Sequence, residues 1–488
     1  MRKEIKEILV VGGGTAGLVS ALILKHRFSD CKVKIVKSDN IGIIGVGEGS
    51  TEHWQDFMDF IGLSSHELIR ETDATFKSGI MFQNWTREDY LHSVNKPYSM
   101  ELGMYPAGYG ALISDGKEAR ECVDSVLWEN KFLPDFLVNP NFSPVFQYHF
   151  NTFKLNDFLQ KLCSNRHIQI VNDEIEDIHL EEDGSIKTLI GKRTVHSADF
   201  YIDCTGMKRM LIKKLGGKWK SYNKYLKMNS AIAFPTKDTD EYNAWTIARR
   251  MDAGWMWRIP TYGRWGNGYV FDDNYMDFDK AKEEVEKYLG HEIEIGKKVK
   301  FDAGTMDRFW IKNCVAMGLA GSFVEPLEAS SIGTTINQSF LLIHYLNNYG
   351  EKDINDYNTE MNIVMNNILD FIALHYVVEP EDTPFWKDLK KNLVLPESLK
   401  YKLDRWKHKL PVAEDFKSSY CLFKSANYTL VMHGQELFDY DSIRKEYNML
   451  SPHLKDEIWN QIHRRHKIIE NSTKIGHKKS IEIIRNSL

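Results

Sequence analysis

Residues 7–17 read Glu7-Ile8-Leu9-Val10-Val11-Gly12-Gly13-Gly14-Thr15-Ala16-Gly17, and this stretch decides the fold. An apolar run of strand length meets a glycine turn, and a helical segment, Leu18 to His26, follows. A second apolar run, Cys31 to Val36, begins one helix-length later. Strand, glycine turn, helix and strand within about 30 residues make the pattern of a dinucleotide-binding βαβ unit. Gly12 permits the tight turn, Gly14 lets the backbone approach a pyrophosphate, and Gly17 lets the helix pack closely on the strand. Thr15 and Ala16 fall at the helix N-terminus, where free N–H groups and a partial positive charge suit a phosphate.

The second strand departs from the usual pattern. An acid commonly meets the ribose there, whereas this chain has Lys37-Ser38-Asp39. Lys37 holds the acid position, and whether Ser38 or Asp39 substitutes for it stays open. A denser glycine cluster follows, Gly42-Ile43-Ile44-Gly45-Val46-Gly47-Glu48-Gly49-Ser50-Thr51. Such spacing lets backbone lie against a flat ligand, and the interleaved Ile43, Ile44 and Val46 argue for packing. Asp203-Cys204-Thr205-Gly206 ends another apolar run, like the second nucleotide-contacting turn of FAD enzymes. The three segments together favour FAD over NAD.

Outside this unit, strand and helix patterns alternate without an obvious linker. Phe153 to Cys163 reads as a helix, and Ile168–Val171, Ile175–Leu180 and Ile186–Ile190 as a small strand set, with Glu181-Glu182-Asp183-Gly184 as a hairpin turn. From Glu351 onward the pattern turns helical and more charged. The fold expected is α/β, an FAD-binding Rossmann-like module over residues 1–350 with inserted segments at about 80–145 and 220–300. A mainly helical substrate or lid module is expected over 351–488. The stretch Arg464 to Leu488, with seven basic and two acidic residues, reads as a solvated, partly frayed helix.

Composition narrows the function classes. Among 488 residues, 63 Lys and Arg stand against 68 Asp and Glu, a net charge of −5, which argues against a nucleic-acid partner. Hydrophobic residues at 42% suffice for a large core. Six scattered cysteines without a CxxC pair suggest a reducing compartment and no structural zinc. No apolar stretch has membrane-spanning length, and Met1 to Leu9 does not read as a signal peptide, so a soluble cytoplasmic protein is expected. His463 and His466 flank Arg464 and Arg465 and read as an exposed basic helix rather than a metal site; no metal is expected.

At Gly254-Trp255-Met256-Trp257-Arg258-Ile259-Pro260 the chain resembles the flavin-dependent tryptophan halogenases, whose hallmark is WxWxIP. The resemblance also takes in Gly45-Val46-Gly47-Glu48, Thr75-Phe76-Lys77-Ser78-Gly79-Ile80, Tyr148-His149-Phe150, Val324-Glu325-Pro326-Leu327-Glu328 and Phe371-Ile372-Ala373-Leu374-His375-Tyr376. It fades after about Trp386. The divergent end looks more like the marine bacterial or phage-encoded members than the free-tryptophan enzymes. The resemblance implies the flavin monooxygenase and halogenase (GR2-type) fold, with FAD used as FADH2, O2 and a halide ion (chloride, bromide or iodide). It implies a separate flavin reductase as partner, a small aromatic substrate, no membrane and no nucleic acid, and leaves a homo-oligomer open. Halide is oxidised to hypohalous acid, which passes through an internal tunnel to a lysine beside the arene.

The site residues implied are Lys77 as the halogenating lysine and Glu328 as the acid that polarises the oxidant and accepts the arene proton. Glu325 is the rival carboxylate, its place before Pro326 suggesting a structural role at a helix start. Trp255 and Trp257, two apart on a strand, face one side and wall the arene off from the flavin. Gly12, Gly14, Thr15, Ala16, Gly17, Lys37, Gly47, Glu48 and Gly206 are the cofactor-binding set. The halide is implied to sit on the backbone N–H groups of Ser330 and Ser331, although Ala329-Ser330-Ser331 replaces the family's Ser-Thr-Gly. Lys77 acts either as an N-haloamine or as an ammonium that hydrogen-bonds the oxidant. An unperturbed lysine is neutral only about 0.04% of the time at pH 7, which favours the ammonium. An FAD-dependent aromatic hydroxylase or epoxidase is the alternative function. Phe423, Tyr428, Phe438 and Tyr440 line an arene pocket or simply pack the core.

Overall fold

Ile8–Val11 is buried on both faces, so it lacks the alternation of a half-solvated strand. In the computed structural model, which describes residues 5–43, 48–134, 147–380 and 382–487, Glu7–Val11 lies inside a six-stranded sheet. Lys32–Lys37 and Phe200–Asp203 flank it in parallel, placing Val10 opposite Ile35 and Ile202. Gln169–Asn172 and Cys314–Ala316 extend the sheet in parallel, and Trp310–Ile311 closes one edge antiparallel. The crossover helix, Thr15–Arg27, buries every residue from Gly17 to Leu24. It is apolar all round because it packs between the sheet and two further helices, Thr152–Asn165 and Ser330–Tyr345.

The small strand set forms only in part, since its first run, as Gln169–Asn172, joins the parallel sheet instead. Ile175–Leu180 and Ile186–Gly191 pair antiparallel around the Glu181–Gly184 turn, and Val195–His196 adds to them.

A seven-stranded sheet forms the second layer, with Gly254–Thr261 inside it between Arg264–Phe271 and Trp245–Met251. Gly79–Gln83 joins it in parallel to Trp245–Met251, and Tyr90–Ser93 is its edge. A three-stranded sheet of Glu48–Gly49, Gln147–Phe150 and Thr75–Lys77 sits beside it. Lys77 therefore occupies the point where the chain leaves the small sheet, and Gly79 the point where it enters the large one. Ser78 fastens the crossing, its Oγ donating to the carbonyls of Leu127 (2.8 Å) and Ala244 (2.7 Å). A Cβ on Gly79 would lie 2.5 Å from the His92 carbonyl oxygen, so only glycine fits there.

From Glu351 the chain is mainly helical, beginning with the 24-residue helix Glu351–Leu374. Its apolar residues share one continuous core with the nucleotide-binding helix, from Leu22 to Ile481. Phe423, Tyr428 and Phe438 belong to that core, and Phe423 stacks on Phe371 at 4.1 Å. These aromatics are packing residues; Tyr440 lies half-buried against the same core.

The basic end of the chain differs from its expectation. Arg464 to Leu488 is not a solvated, frayed helix: helix Pro452–Asn471 is followed by strand Ile475–Gly476, paired with Lys131–Phe132, and by a docked helix, His477–Asn486. His477, Ser480, Ile481 and Ile484 form its buried face. The cations are spent on ion pairs across the fold, Arg465 with Asp124, Lys478 with Asp238 and Arg485 with Asp73. The charge count hid a four-residue buried stripe, two of whose members are isoleucines. His466 meets Tyr98 edge-on at 5.0 Å. Ile481→Ala is expected to lower the unfolding free energy by about 2–4 kcal/mol in urea titrations; a frayed terminus would lose under about 0.5 kcal/mol.

Candidate active site

The glycine turn opens into a cavity of about 830 Å³. Gly12 has φ +123°, and a Cβ there would stand 2.1 Å from the Cys204 carbonyl oxygen. A Cβ on Gly17 would stand 2.0 Å from the Gly12 oxygen, which is the close helix packing the motif requires. Gly14 instead has nothing within 4 Å, so its backbone borders open space at the helix N-terminus, with Thr15 and Ala16 beside it on the cavity wall. On the second turn, Asp203 points inward. It accepts from the backbone N–H groups of Thr205, Leu211 and Ile212, leaving Gly206, at φ +66°, on the cavity wall. These surfaces fit a dinucleotide: close backbone, free N–H groups and room for a pyrophosphate.

Lys37, Ser38 and Asp39 all line the cavity. Lys37 lies across Gly13, and its Nζ pairs with Asp39 Oδ1 at 2.9 Å. A lysine–aspartate pair thus stands where a lone acid is usual. Gly47 lies outside the described residues; Glu48 opens the strand Glu48–Gly49.

Trp255 and Trp257 project from one face of their strand into the same cavity, ring centroids 6.1 Å apart. Gly268 makes room for the second ring, since a Cβ there would lie 2.1 Å from it. Glu325 also lines the cavity. Its Oε2 accepts from the Tyr376 hydroxyl at 2.7 Å, and burial pushes its carboxyl up to about 7. It stands just before the short helix Leu327–Ala329, whose N-cap is Pro326, as its place in the sequence suggests, and its side chain caps no N–H there.

Gly49, Ile80, Glu328 and Ala329 also line the cavity. Lys77 is 1% exposed, its stem against Gly49 of the cavity wall. Its Nζ donates to the Ser50 carbonyl at 2.8 Å. Burial lowers its pKa from 10.5 to about 8, against the charges of Glu328 and Glu52, which raise it. Among the described residues no ion pair joins Lys77 to Glu328. Instead Glu328 is held by two histidines: His92 Nδ1 lies 2.9 and 2.8 Å from its two oxygens, and His375 Nε2 lies 2.9 Å from Oε1. Burial opposes the charge on Glu328, but its interactions with His92 and His375 outweigh it and hold the carboxyl well below the usual range.

Glu328 and Ala329 both adopt left-handed backbone, at φ 68° and 52°. Two such residues in succession, neither glycine, carry a strain on the order of 1–3 kcal/mol each. The turn delivers the carboxylate to the histidines and starts helix Ser330–Tyr345 immediately after it. Ser330 and Ser331 therefore supply first-turn N–H groups without helical partners, on the cavity wall.

The model of the tryptophan halogenase family matches residues 7–445. The chain belongs to the tryptophan halogenase family. It is 30% identical over 449 residues to tryptophan 6-halogenase ThaL of Streptomyces albogriseolus, covering 84% of each protein. It is 27% identical over 487 residues to tryptophan 7-halogenase RebH of Lentzea aerocolonigenes, covering 89% of this chain and 90% of that one. Among solved structures, Xcc4156, a flavin-dependent halogenase from Xanthomonas campestris, superposes with a TM-score of 0.88 at 26% identity over 98% of both chains. A tryptophan halogenase from Shewanella frigidimarina shares the fold with a TM-score of 0.92 at 24% identity, covering 99% of this chain and 98% of that one. As a member of this family the chain is an oxidoreductase, a flavin-dependent halogenase of aromatic substrates that uses FADH2, O2 and halide. Among the described residues no helix is long and apolar enough to cross a membrane.

Sequence reasoning on this halogenase missed the histidines around Glu328. His375 lies in the quoted Phe371–Tyr376 motif, which was the available signal; His92 sits in the fully buried strand Tyr90–Ser93 with no local mark. It also missed His477, whose Nε2 accepts the Phe76 N–H at 3.1 Å and so steadies the strand that carries Lys77.

Gly14→Ala is expected to leave apo stability unchanged in urea titrations and to weaken FAD binding in flavin-fluorescence titrations. Gly12→Ala should lower stability itself by more than about 2 kcal/mol. Lys77 also sets a pH dependence. Between about pH 8 and 10.5 the unfolded chain keeps this proton and the folded chain has lost it, so stability rises with pH across that window. Below it Lys77 is a penalty. Lys77→Met should therefore stabilise the fold at pH 7 by up to about 3 kcal/mol, with the gain fading above pH 10.5 in calorimetric scans.

Proposed function

We propose that this halogenase oxidises halide beside the N-terminus of helix Ser330–Tyr345, and that Lys77 and Glu328 direct the resulting hypohalous acid onto an electron-rich indole or phenol. The single observation that carries this reading is the buried lysine packed against Gly49, in the wall of the cavity that the glycine turn also lines. A cation in so dry a place calls for a use. Bound as FADH2, the cofactor supplies the electrons and the oxygen activation that turn halide into hypohalous acid. Gly12, Gly14, Thr15, Ala16, Gly17 and Gly206 would hold the dinucleotide, with the Lys37–Asp39 pair towards its ribose. The halide accepts from the N–H groups of Ser330 and Ser331, where the helix N-terminus favours an anion.

Trp255 and Trp257 fill the passage with bulk, so a small oxidant gets by and an arene does not. This separation speaks against direct hydroxylation, which seats the substrate on the flavin. At the far end Lys77 donates hydrogen bonds to the hypohalous acid and sharpens its electrophilic halogen. Glu328, kept ionised, then takes the proton released as the ring regains aromaticity.

The two lysine roles predict opposite pH responses. With a pKa of about 8 roughly one tenth of Lys77 is neutral at pH 7, far above the 0.04% of a free lysine, yet the ammonium still dominates. If the ammonium is the active form, the single-turnover rate of arene halogenation falls as pH rises through about 8; a rise there would identify the haloamine instead.

The partner proposed is a separate flavin reductase. Residues 351–488 are proposed as the helical module that closes over the arene, and residues 1–350 as the FAD module. Bromide and iodide, easier to oxidise than chloride, are proposed as preferred halides, because Ala329-Ser330-Ser331 departs from the sequence found at chloride sites of the family. Supplied with a flavin reductase, FAD, equal concentrations of the three halides and a panel of indoles and phenols, the enzyme should give brominated or iodinated products by mass spectrometry. Lys77→Ala and Glu328→Gln should lose at least about 100-fold in product while FAD affinity holds. Halide-independent hydroxylation, or halogenation retained in Lys77→Ala, would sink the reading.

A further inference from the structure

The contacts of His375 carry a consequence for the charge of the whole site. A neutral imidazole has one N–H and one acceptor nitrogen. His375 Nδ1 faces the carbonyl of Phe371 at 2.8 Å, and Nε2 faces Glu328 Oε1 at 2.9 Å. A carbonyl cannot donate, so Nδ1 carries a proton. Nε2 then needs a second one, unless Glu328 is itself protonated.

The remaining partners of Glu328 decide between these. The Asn427 amide donates to His92 Nε2 at 3.2 Å, which leaves the His92 proton on Nδ1, aimed between both carboxylate oxygens. A carboxylate accepts from His92 at both oxygens, and the proton shared with His375 rests on the imidazole, the more basic of the two groups. His375 also caps the C-terminus of helix Glu351–Leu374, where the last carbonyls favour a cation, and its ring stacks on Phe82 at 4.8 Å.

We propose that His375 is a doubly protonated positioning residue that holds Glu328 ionised and turned away from Lys77. This inference rests on the halogenase reading for its purpose and on the hydrogen bonds alone for its content. The groups around the pair are few. Lys77 lies on the strand Thr75–Lys77; His92 and the neutral Tyr90 phenol lie on Tyr90–Ser93; Gln435 donates to the His375 carbonyl. Glu325 sits one residue further on, through Tyr376. With both Glu328 oxygens engaged, the ammonium of Lys77 spends one hydrogen on Ser50 and keeps two for a ligand. Without the imidazolium, Glu328 would swing to Lys77, and the lysine would be tied into an ion pair.

Neutron diffraction from crystals of the whole enzyme at about pD 7.5 tests this directly. Deuterium is expected on both nitrogens of His375 and on neither oxygen of Glu328. A single deuteron on His375, or one on Glu328, overturns the proposal, whatever the enzyme turns over. His375→Gln keeps a donor towards Glu328 but no charge. It should lower kcat for arene halogenation about 10- to 100-fold with FAD affinity unchanged, and move the acid limb of the pH–kcat profile to higher pH. Wild-type kcat with an unmoved profile would also overturn it, and if this variant fails to fold the neutron map decides alone. Halogenation retained in Lys77→Ala would defeat the functional reading while leaving the deuterons where they are.

Discussion

The organising constraint of this molecule is that a lysine and a glutamate, both almost fully buried, sit near one another without pairing. Each charge is costly to bury, and a direct ion pair would be the simplest compensation. The fold spends other groups instead. Two histidines from different parts of the chain hold the carboxylate, and a backbone carbonyl holds the ammonium. The charges compensate through the cluster as a whole, and the lysine keeps its reach.

That arrangement needs a rigid frame, and both sheets supply it. The lysine strand belongs to the small sheet, but Ser78 and Gly79 stitch it at once to the large one, which also bears the tryptophans. The carboxylate arrives from the opposite direction, on a strained turn that launches the helix whose first N–H groups face the cavity. One turn thus places a buried carboxylate and the free N–H groups of a helix start within a few residues of each other. The strained turn is held by the hydrogen bonds of Glu328 to His92 and His375.

Much of this was legible beforehand, and for definite reasons. The glycine turn is readable because Gly12 and Gly17 are dictated by backbone clashes that no other residue escapes. The tryptophan spacing is readable because a strand repeats every two residues. His92 was not, because a histidine in a four-residue buried strand looks like any packed residue until its partner, 236 positions away, is known. The C-terminal helix was misread because charge counting ignores where apolar residues fall on a helix face. Its four buried positions decide its place, and its cations find carboxylates afterwards.

The bond from Phe76 to His477 spans 401 residues of chain. Such a link has an order-of-synthesis meaning. The lysine strand can pair with its sheet neighbours long before its outer edge has anything to hold, so a nascent enzyme already owning its nucleotide fold must wait for almost the entire polypeptide to emerge before that edge is sealed.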